Sequence, residues 1–259
     1  MISCILVNYN SKKYLENCIP ALLMHISGDK EVVIVDNCSG EDLSEIEQLD
    51  DRVKVIYYDQ NNGFGSGINR GAKEAQGDWL LFVNPDAQLL GDPQPLLESA
   101  QADIGLIGFS LVKEDSSVQA YQFGAKPTPW TMITGSLKRQ WPQEVPETVE
   151  PDWIGGGAMA VRRSIFEQLG GFDDRYFMYF EDIDLCLRVR DLGYRLLWTQ
   201  QIQVRHVEGG SEPVKWKVKK RYYASARQFV AKWYAPIWGA VLWLPHWLTV
   251  RILGILEKR

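Results

Sequence analysis

The sequence predicts an α/β fold, a mostly parallel sheet with helices on both faces. Three observations predict it. Uninterrupted apolar runs, Val32–Val35 and Leu80–Val83 above all, read as strands buried on both sides. Each run gives way to a polar turn: Asn8-Tyr9-Asn10-Ser11 after Ser3–Val7, Asp36-Asn37 after Glu31–Val35, Asn84-Pro85-Asp86 after Leu80–Val83. Between these strands lie stretches of helical period, which is the rhythm of βαβ units.

Taken in order, Ser3–Val7 is the first strand, and Ser11 is placed to cap a helix from Lys12. Leu15, Ile19, Leu22 and Leu23 form that helix's apolar face, and Pro20 predicts a kink. Glu31–Val35 and Val53–Tyr58 are the second and third strands. Asn61–Gly71 is a glycine-rich turn running into a helix that continues to Ala75. The fourth strand stops at Pro85, which has no N–H for a ladder, and leaves Asp86 at the strand's carboxyl end. Ligands bind at that edge in open α/β sheets, and an acid there suits a divalent cation shared with phosphates. Alone, Asn-Pro-Asp is also an ordinary turn signal.

Pro93–Ala102 reads as a helix and Gly105–Val112 as a strand. Residues 113–151 lose periodicity and hold five prolines, an excursion expected in part to cover the site. The glycines of Trp153-Ile154-Gly155-Gly156-Gly157 let backbone approach a ligand before an apolar strand. Ser164–Leu169 is a short helix stopped by Gly170-Gly171. Glu181, Asp182 and Asp184 then open a helix over Ile183–Leu192, set among Tyr176, Phe177, Tyr179 and Phe180. Asp184 reads as a cap or dipole partner, paired with Arg188 one turn on. Aromatic surroundings would desolvate Glu181 and Asp182 and make either a better proton acceptor. Tyr194–Trp198 and Ile202–His206 read as two last short strands, with His206 beside the polar turn 208–211.

Composition narrows the function. Apolar residues at 46% and charged residues at 24% are those of a globular domain, so disorder is excluded. Four cysteines without CxxC spacing argue for reduced thiols and against zinc. No signal peptide is read at the first apolar run. Neither Gly63 nor Gly65 starts a GxGxxG pattern, no Gly-Lys-Ser/Thr follows, and no nucleophile elbow is found. The net charge of −5 is uneven: residues 213–259 carry ten Lys and Arg against one acid, Glu257. Nucleic acid is therefore not the expected partner of the acidic body. The expected division is a catalytic domain over 1–211 and a basic, aromatic helical tail over 212–259. Ile237–Leu256 has the length of a membrane span, but Pro245, His246, Arg251 and scattered Trp fit helices lying in a membrane surface better. Packing on the catalytic domain, or against a second copy in a homodimer, is the other reading of the tail.

Together these segments resemble the inverting GT-A glycosyltransferases of family 2, in particular the rhamnosyltransferase-like branch. The matching stretches are Val7–Ser11, Val35–Ser39, Asn62-Gly63-Phe64-Gly65 with Asn69, Asn84-Pro85-Asp86, Gly155–Arg162, Gly171–Arg188 and His206, in order. The resemblance implies transfer of a sugar, commonly L-rhamnose from dTDP-rhamnose, to a hydroxyl of a surface-glycan or polyprenyl-linked acceptor. It implies that Asn8, Tyr9, Asp36, Asn62, Gly63 and Asn84 hold the donor nucleotide side. Trp153, Gly155, Gly156 and Gly157 would line the sugar and acceptor. Asp86 and His206 would hold Mg²⁺ or Mn²⁺. One of Asp182 and Glu181, taken in that order, would be the base. Asn84 stands where the family often has the first acid of Asp-x-Asp. A cytoplasmic enzyme, peripheral at the inner face of the cytoplasmic membrane, is the implied setting. A nucleotidyltransferase of the same fold, or an inactive sugar-binding scaffold, are the alternative readings.

Overall fold

The computed structural model describes residues 1–134, 141–207 and 215–242. The polar turn after His206 and most of the apolar stretch 237–256 lie outside the described residues. In chain order the elements are β1 (Ile2–Asn8), α1 (Lys12–His25), β2 (Lys30–Asn37), α2 (Ser44–Glu47), β3 (Val53–Tyr58), α3 (Phe64–Glu74), β4 (Trp79–Val83), β5 (Ala87–Leu89), α4 (Gln94–Ser99) and β6 (Ile104–Val112). There follow β7 (Phe123–Gly124), α5 (Pro129–Thr134), β8 (Thr148–Val149), β9 (Trp153–Ile154), β10 (Ala158–Arg162), α6 (Arg163–Gln168), α7 (Glu181–Asp191), β11 (Arg195–His206) and α8 (Lys215–Trp233).

One sheet runs β3-β2-β1-β4-β10-β6-β11-β5, with β8 paired to β11. The first four strands are parallel, as the βαβ rhythm predicts. β10 is inserted antiparallel between β4 and β6. Alternation explains the continuous apolar runs. Along β1, Cys4 and Leu6 join a core with α1, α2 and α4. Ile5 and Val7 point to the other face, against α3, α6 and α7. Both faces are covered, so both strand faces must be apolar.

α3 lies unusually close to this sheet: a Cβ at Gly67 or Gly71 would press on Val7 or on Ile5 and Val35. Gly63, just before it, has φ = 95° and faces the Phe177 carbonyl, which accepts the Phe64 N–H at 3.0 Å. Asn69, one turn further, grips the Phe172 backbone twice, Nδ2 to its carbonyl at 2.8 Å and Oδ1 from its N–H at 2.7 Å. The glycine stretch thus sets helix–sheet packing and seats the segment that leads to α7.

Several expectations are corrected. β5 follows β4 almost at once and pairs antiparallel with the end of β11; three residues are too short to show a pattern. The two last strands are one, β11, with a register break between Thr199 and Gln203. Its polar middle does not end it, because Gln200 donates its N–H to the Glu147 carbonyl at 2.8 Å. α7 starts at Glu181, not Ile183, and α4 is shorter than expected. α1 continues through Pro20 to His25. Ser11 sits at its N-cap position without a side-chain cap bond; Glu41 accepts the N–H of Ser11 and of Lys12 instead, at 3.0 and 3.2 Å. The excursion holds β7, α5 and β8. α8 follows the other reading of the tail over its described residues: Ala226, Phe229 and Val230 pack with Tyr176, Phe180 and Leu187.

The Gly63 turn is directly testable. Gly63→Ala places a Cβ in the left-handed region against backbone, and should cost about 2 kcal/mol or more in urea unfolding. A loss below about 0.5 kcal/mol, the scatter of an ordinary surface change, would contradict this account of the turn.

Candidate active site

Three groups of residues meet at the carboxyl edge of the sheet. The first lies at the ends of β1 and β2, where Asn8, the last residue of β1, and Asp36, the next to last of β2, are register partners. Asn8 is fully buried and its amide is engaged within the protein. Its Nδ2 reaches Asp36 Oδ1 at 2.7 Å and Glu41 Oε2 at 3.0 Å, and its Oδ1 accepts the Ser11 hydroxyl at 2.7 Å. Asn8 thus holds the Asp36 carboxylate in place from within the sheet edge. Ser39 donates its backbone N–H to Asp36 Oδ2 at 3.1 Å and its hydroxyl to Oδ1. Tyr9 is 44% exposed beside them. Asn37 donates to Asn61 Oδ1 and to the Gly63 carbonyl, both at 3.0 Å, and so links β2 to the glycine turn. Asn62 is exposed and lines a cleft of about 480 Å³ with Arg70, Lys73 and Phe177.

The second group is built by β11 and β5. Their register sets His206 opposite Ala87, next to Asp86. His206 Nε2 lies 3.3 Å from Asp86 Oδ1 and 3.4 Å from Asn84 Nδ2. Its Nδ1 lies 3.1 Å from Gln119 Oε1, while Gln119 Nε2 donates to the His206 carbonyl at 2.7 Å. That second bond fixes which way the Gln119 amide points, so an acceptor faces Nδ1 and the ring carries its proton there. The Nε2 lone pair then faces a carboxylate. Asn84 Nδ2 offers an N–H to that lone pair at 3.4 Å, and the Asp86 carboxylate oxygen beside it is the ligand type suited to Mn²⁺ or Mg²⁺, with the imidazole nitrogen able to join it. Among the described residues no group of three or more His, Cys, Asp or Glu gathers into a complete metal cage. Phosphate and water would have to complete one. Gln119 lies in the excursion 113–151, and no sequence signal marks it.

The third group is the start of α7. Tyr179 and Phe180 precede it with φ of 71° and 69°, a left-handed conformation that bulky residues rarely adopt. Glu181 is 6% exposed, and its Oε2 has no hydrogen-bond partner. Burial, and then the charge of Asp182, push the Glu181 carboxyl well above the usual range. Burial raises Asp182 too, opposed by the N–H groups of Gly156 and Ile183. Asp182 is half-buried, with Oδ2 held by the Gly156 N–H at 2.9 Å. Asp184 faces elsewhere and pairs with Arg188 at 2.8 Å, as expected from their spacing.

The glycine run joins the second and third groups. Gly157 accepts the Asn84 N–H at 3.1 Å, and the preceding Gly156 holds Asp182. A Cβ at Gly157 would strike Leu111. Gly155 donates its N–H to the Gln122 carbonyl at 2.7 Å, and the Trp153 indole donates to the Ala125 carbonyl at 2.9 Å. The excursion is thus anchored against the glycines as well as at His206.

The mostly parallel α/β sheet that carries these residues at its carboxyl edge has the fold of GT-A glycosyltransferase structures. The Glycosyl transferase family 2 model matches residues 3–170, and the chain belongs to that family. It is 28% identical to the N-acetylglucosaminyl-diphospho-decaprenol L-rhamnosyltransferase of Mycobacterium tuberculosis, over 92% of this chain and 88% of that one. It is 24% identical to rhamnosyltransferase WbbL of Escherichia coli, over 88% and 94%. Mannosyltransferase PcManGT of Pyrobaculum calidifontis, solved with GDP-Man and Mn²⁺, superposes with a TM-score of 0.61 at 16% identity, over 100% of this chain and 80% of that one. GalNAc-T7, solved with UDP, GalNAc and Mn²⁺, gives 0.63 at 17% identity over 87% of this chain; the chain spans about half, 47%, of that structure. At such identities the structures speak for the fold alone.

The raised Glu181 carboxyl carries a stability consequence. Below the ordinary Glu range, about 4.3, both folded and unfolded states hold the proton. As pH rises through that range the unfolded chain ionises first, so stability falls until the folded-state value is passed. Glu181→Gln removes this loss. Its melting temperature should gain on wild type more at pH 7.5 than at pH 4; a constant difference would contradict a raised Glu181.

Proposed function

We propose that the chain is a metal-dependent, inverting glycosyltransferase that moves a sugar, L-rhamnose from dTDP-rhamnose in the first instance, to a hydroxyl of a polyprenyl-linked or cell-surface glycan acceptor. The observation that carries this reading is the short path Asn84–Gly157–Gly156–Asp182. It ties the Asp86–His206 pair to a carboxylate held through two backbone N–H bonds, so leaving group and acceptor can be handled on either side of one glycine strip. The names of the mycobacterial and E. coli relatives support rhamnose and, in the former, a decaprenol-linked acceptor.

Inverting transfer is a single displacement at the anomeric carbon and requires no protein nucleophile. Asp36 and Asn62 would bind the nucleotide. Asp86 and His206 Nε2 would hold Mg²⁺ or Mn²⁺, and Gln119 keeps the His206 ring turned for it. Such an ion would neutralise charge developing on the diphosphate. Asp182 would take the acceptor hydroxyl proton, a role worth ~10²–10⁴-fold. The backbone N–H groups of Gly156 and Ile183 donate to it and oppose the rise that burial causes, which sets Asp182 ahead of Glu181 as the base.

The tail belongs to the same proposal. Lys217, Lys219 and Lys220 are exposed on α8, and Ile237, Trp238 and Val241 are exposed beyond it. That composition supports contact with an anionic membrane surface at the inner face of the cytoplasmic membrane. Among the described residues no helix is long and apolar enough to cross a membrane.

A panel of nucleotide-sugars, assayed for nucleoside diphosphate release with and without Mn²⁺, tests the reading. dTDP-rhamnose should turn over best, and only with metal. Asp86→Ala should abolish turnover while the protein stays folded, and Gln119→Leu should raise the Mn²⁺ requirement ~10-fold or more. Asp182→Asn should cut transfer ~10²-fold or more and leave donor binding nearly intact. Full activity in Asp86→Ala sinks the metal site, and loss in Glu181→Gln but not Asp182→Asn exchanges the two carboxylates.

A further inference from the structure

Asp184 is the third acid of α7's first turn, and its surroundings differ from those of its neighbours. Residues two apart on a helix point about 200° apart, so Asp184 faces away from Asp182. It is fully buried. Arg188 Nε occupies its Oδ2 at 2.8 Å. Its Oδ1 receives the Trp233 indole N–H at 2.9 Å and Lys232 Nζ at 2.6 Å, both from the last turn of α8. Lys232 also bridges to Asp173 Oδ2 at 2.8 Å. Two of these three donors to a buried carboxylate in the catalytic helix therefore come from the tail.

Two further contacts converge on the same few residues. Ser225 donates its hydroxyl to the Met178 carbonyl at 2.8 Å. Phe180 is stacked between Tyr222 and Phe229, with ring centroids 5.2 and 5.3 Å away. Phe180 is also the left-handed residue at the N-cap of α7. Such a conformation costs about 1–3 kcal/mol and persists only where packing enforces it. α8 thus touches residues 178, 180 and 184, on both sides of the Glu181–Asp182 pair.

We infer that α8 is a positioning element for the catalytic carboxylates: Trp233 and Lys232, through buried Asp184, hold α7's first turn so that Asp182 meets the glycine strip in reacting geometry. The inference rests on Asp182 being the base. It goes beyond that assignment, because it makes the tail part of the catalytic apparatus and not only a separate anchor.

Transfer kinetics of Trp233→Phe and Lys232→Met in the full chain, with Lys232→Arg as the conservative control, test it. Donor-binding stoichiometry by calorimetry reports the folded, binding-competent fraction of each. Displacing a reacting group by an ångström can cost ~10²-fold, so kcat per binding site should fall ~10-fold or more in the first two variants. KM for the donor should stay within about twofold, and Lys232→Arg should recover most of the rate. Wild-type kcat per binding site in both variants overturns the inference, as does a loss accounted for entirely by fewer binding sites. Asp182→Asn, run alongside, separates the two claims. Transfer retained there overturns the base itself, whereas transfer lost there with wild-type kcat in both α8 variants overturns only the role of α8.

Discussion

β5 and the end of β11, more than a hundred residues apart in sequence, run antiparallel with His206 set against Ala87. That pairing is what brings a strand-end Asp into the proposed cation site. Without it Asp86 would be a turn residue, exposed like most acids after a Pro. With it, an imidazole nitrogen and a carboxylate oxygen are held 3.3 Å apart, close enough to share one cation. The long β11 can reach that place because its register breaks between Thr199 and Gln203, and such breaks bend and re-aim a strand.

Desolvation governs the other side of the site. Glu181 and Asp182 stand at a helix N-terminus, which favours charge, yet burial works against it. The two residues divide that conflict unequally. Asp182 has two backbone N–H partners, and Glu181 has an orphaned buried oxygen. Two adjacent carboxyls of one sequence motif thereby acquire different proton affinities from packing alone. The packing in turn comes from α3, the glycine strip and α8. The family match ends at residue 170, before α7 and α8 begin.

Much of this was legible in the sequence. Doubly covered strands need apolar runs, so β1, β2, β4 and β6 announce themselves, and the residues following β2 and β4 fall at the ligand edge. The i,i+4 spacing of Asp184 and Arg188 predicted their pair. What stayed hidden depends on tertiary partners. β5 offers only Ala87 and Leu89 as apolar positions. Thr199-Gln200-Gln201 reads as a turn because its partner β8, from an aperiodic segment, is invisible in sequence. Gln119 and Glu41 carry no local signal, since each acts on backbone or side chains far along the chain. The bond from the Asn8 amide to Asp36 joins two strands 28 residues apart, and spacing alone does not reveal it. The tail's basic and aromatic character pointed to a surface, and nothing in its periodicity revealed that Trp233 and Lys232 meet Asp184.

The account makes the sheet edge a divided site: a cation position between Asp86 and His206, and a carboxylate held across Gly156 and Gly157. Crystals grown with Mn²⁺ and a nucleoside diphosphate test this most directly, through the anomalous signal of the metal. The account predicts a peak within coordination distance of both the Asp86 carboxylate and His206 Nε2, with the diphosphate completing the shell. A peak bound to phosphate alone, or one held by Glu181 and Asp182, would contradict it.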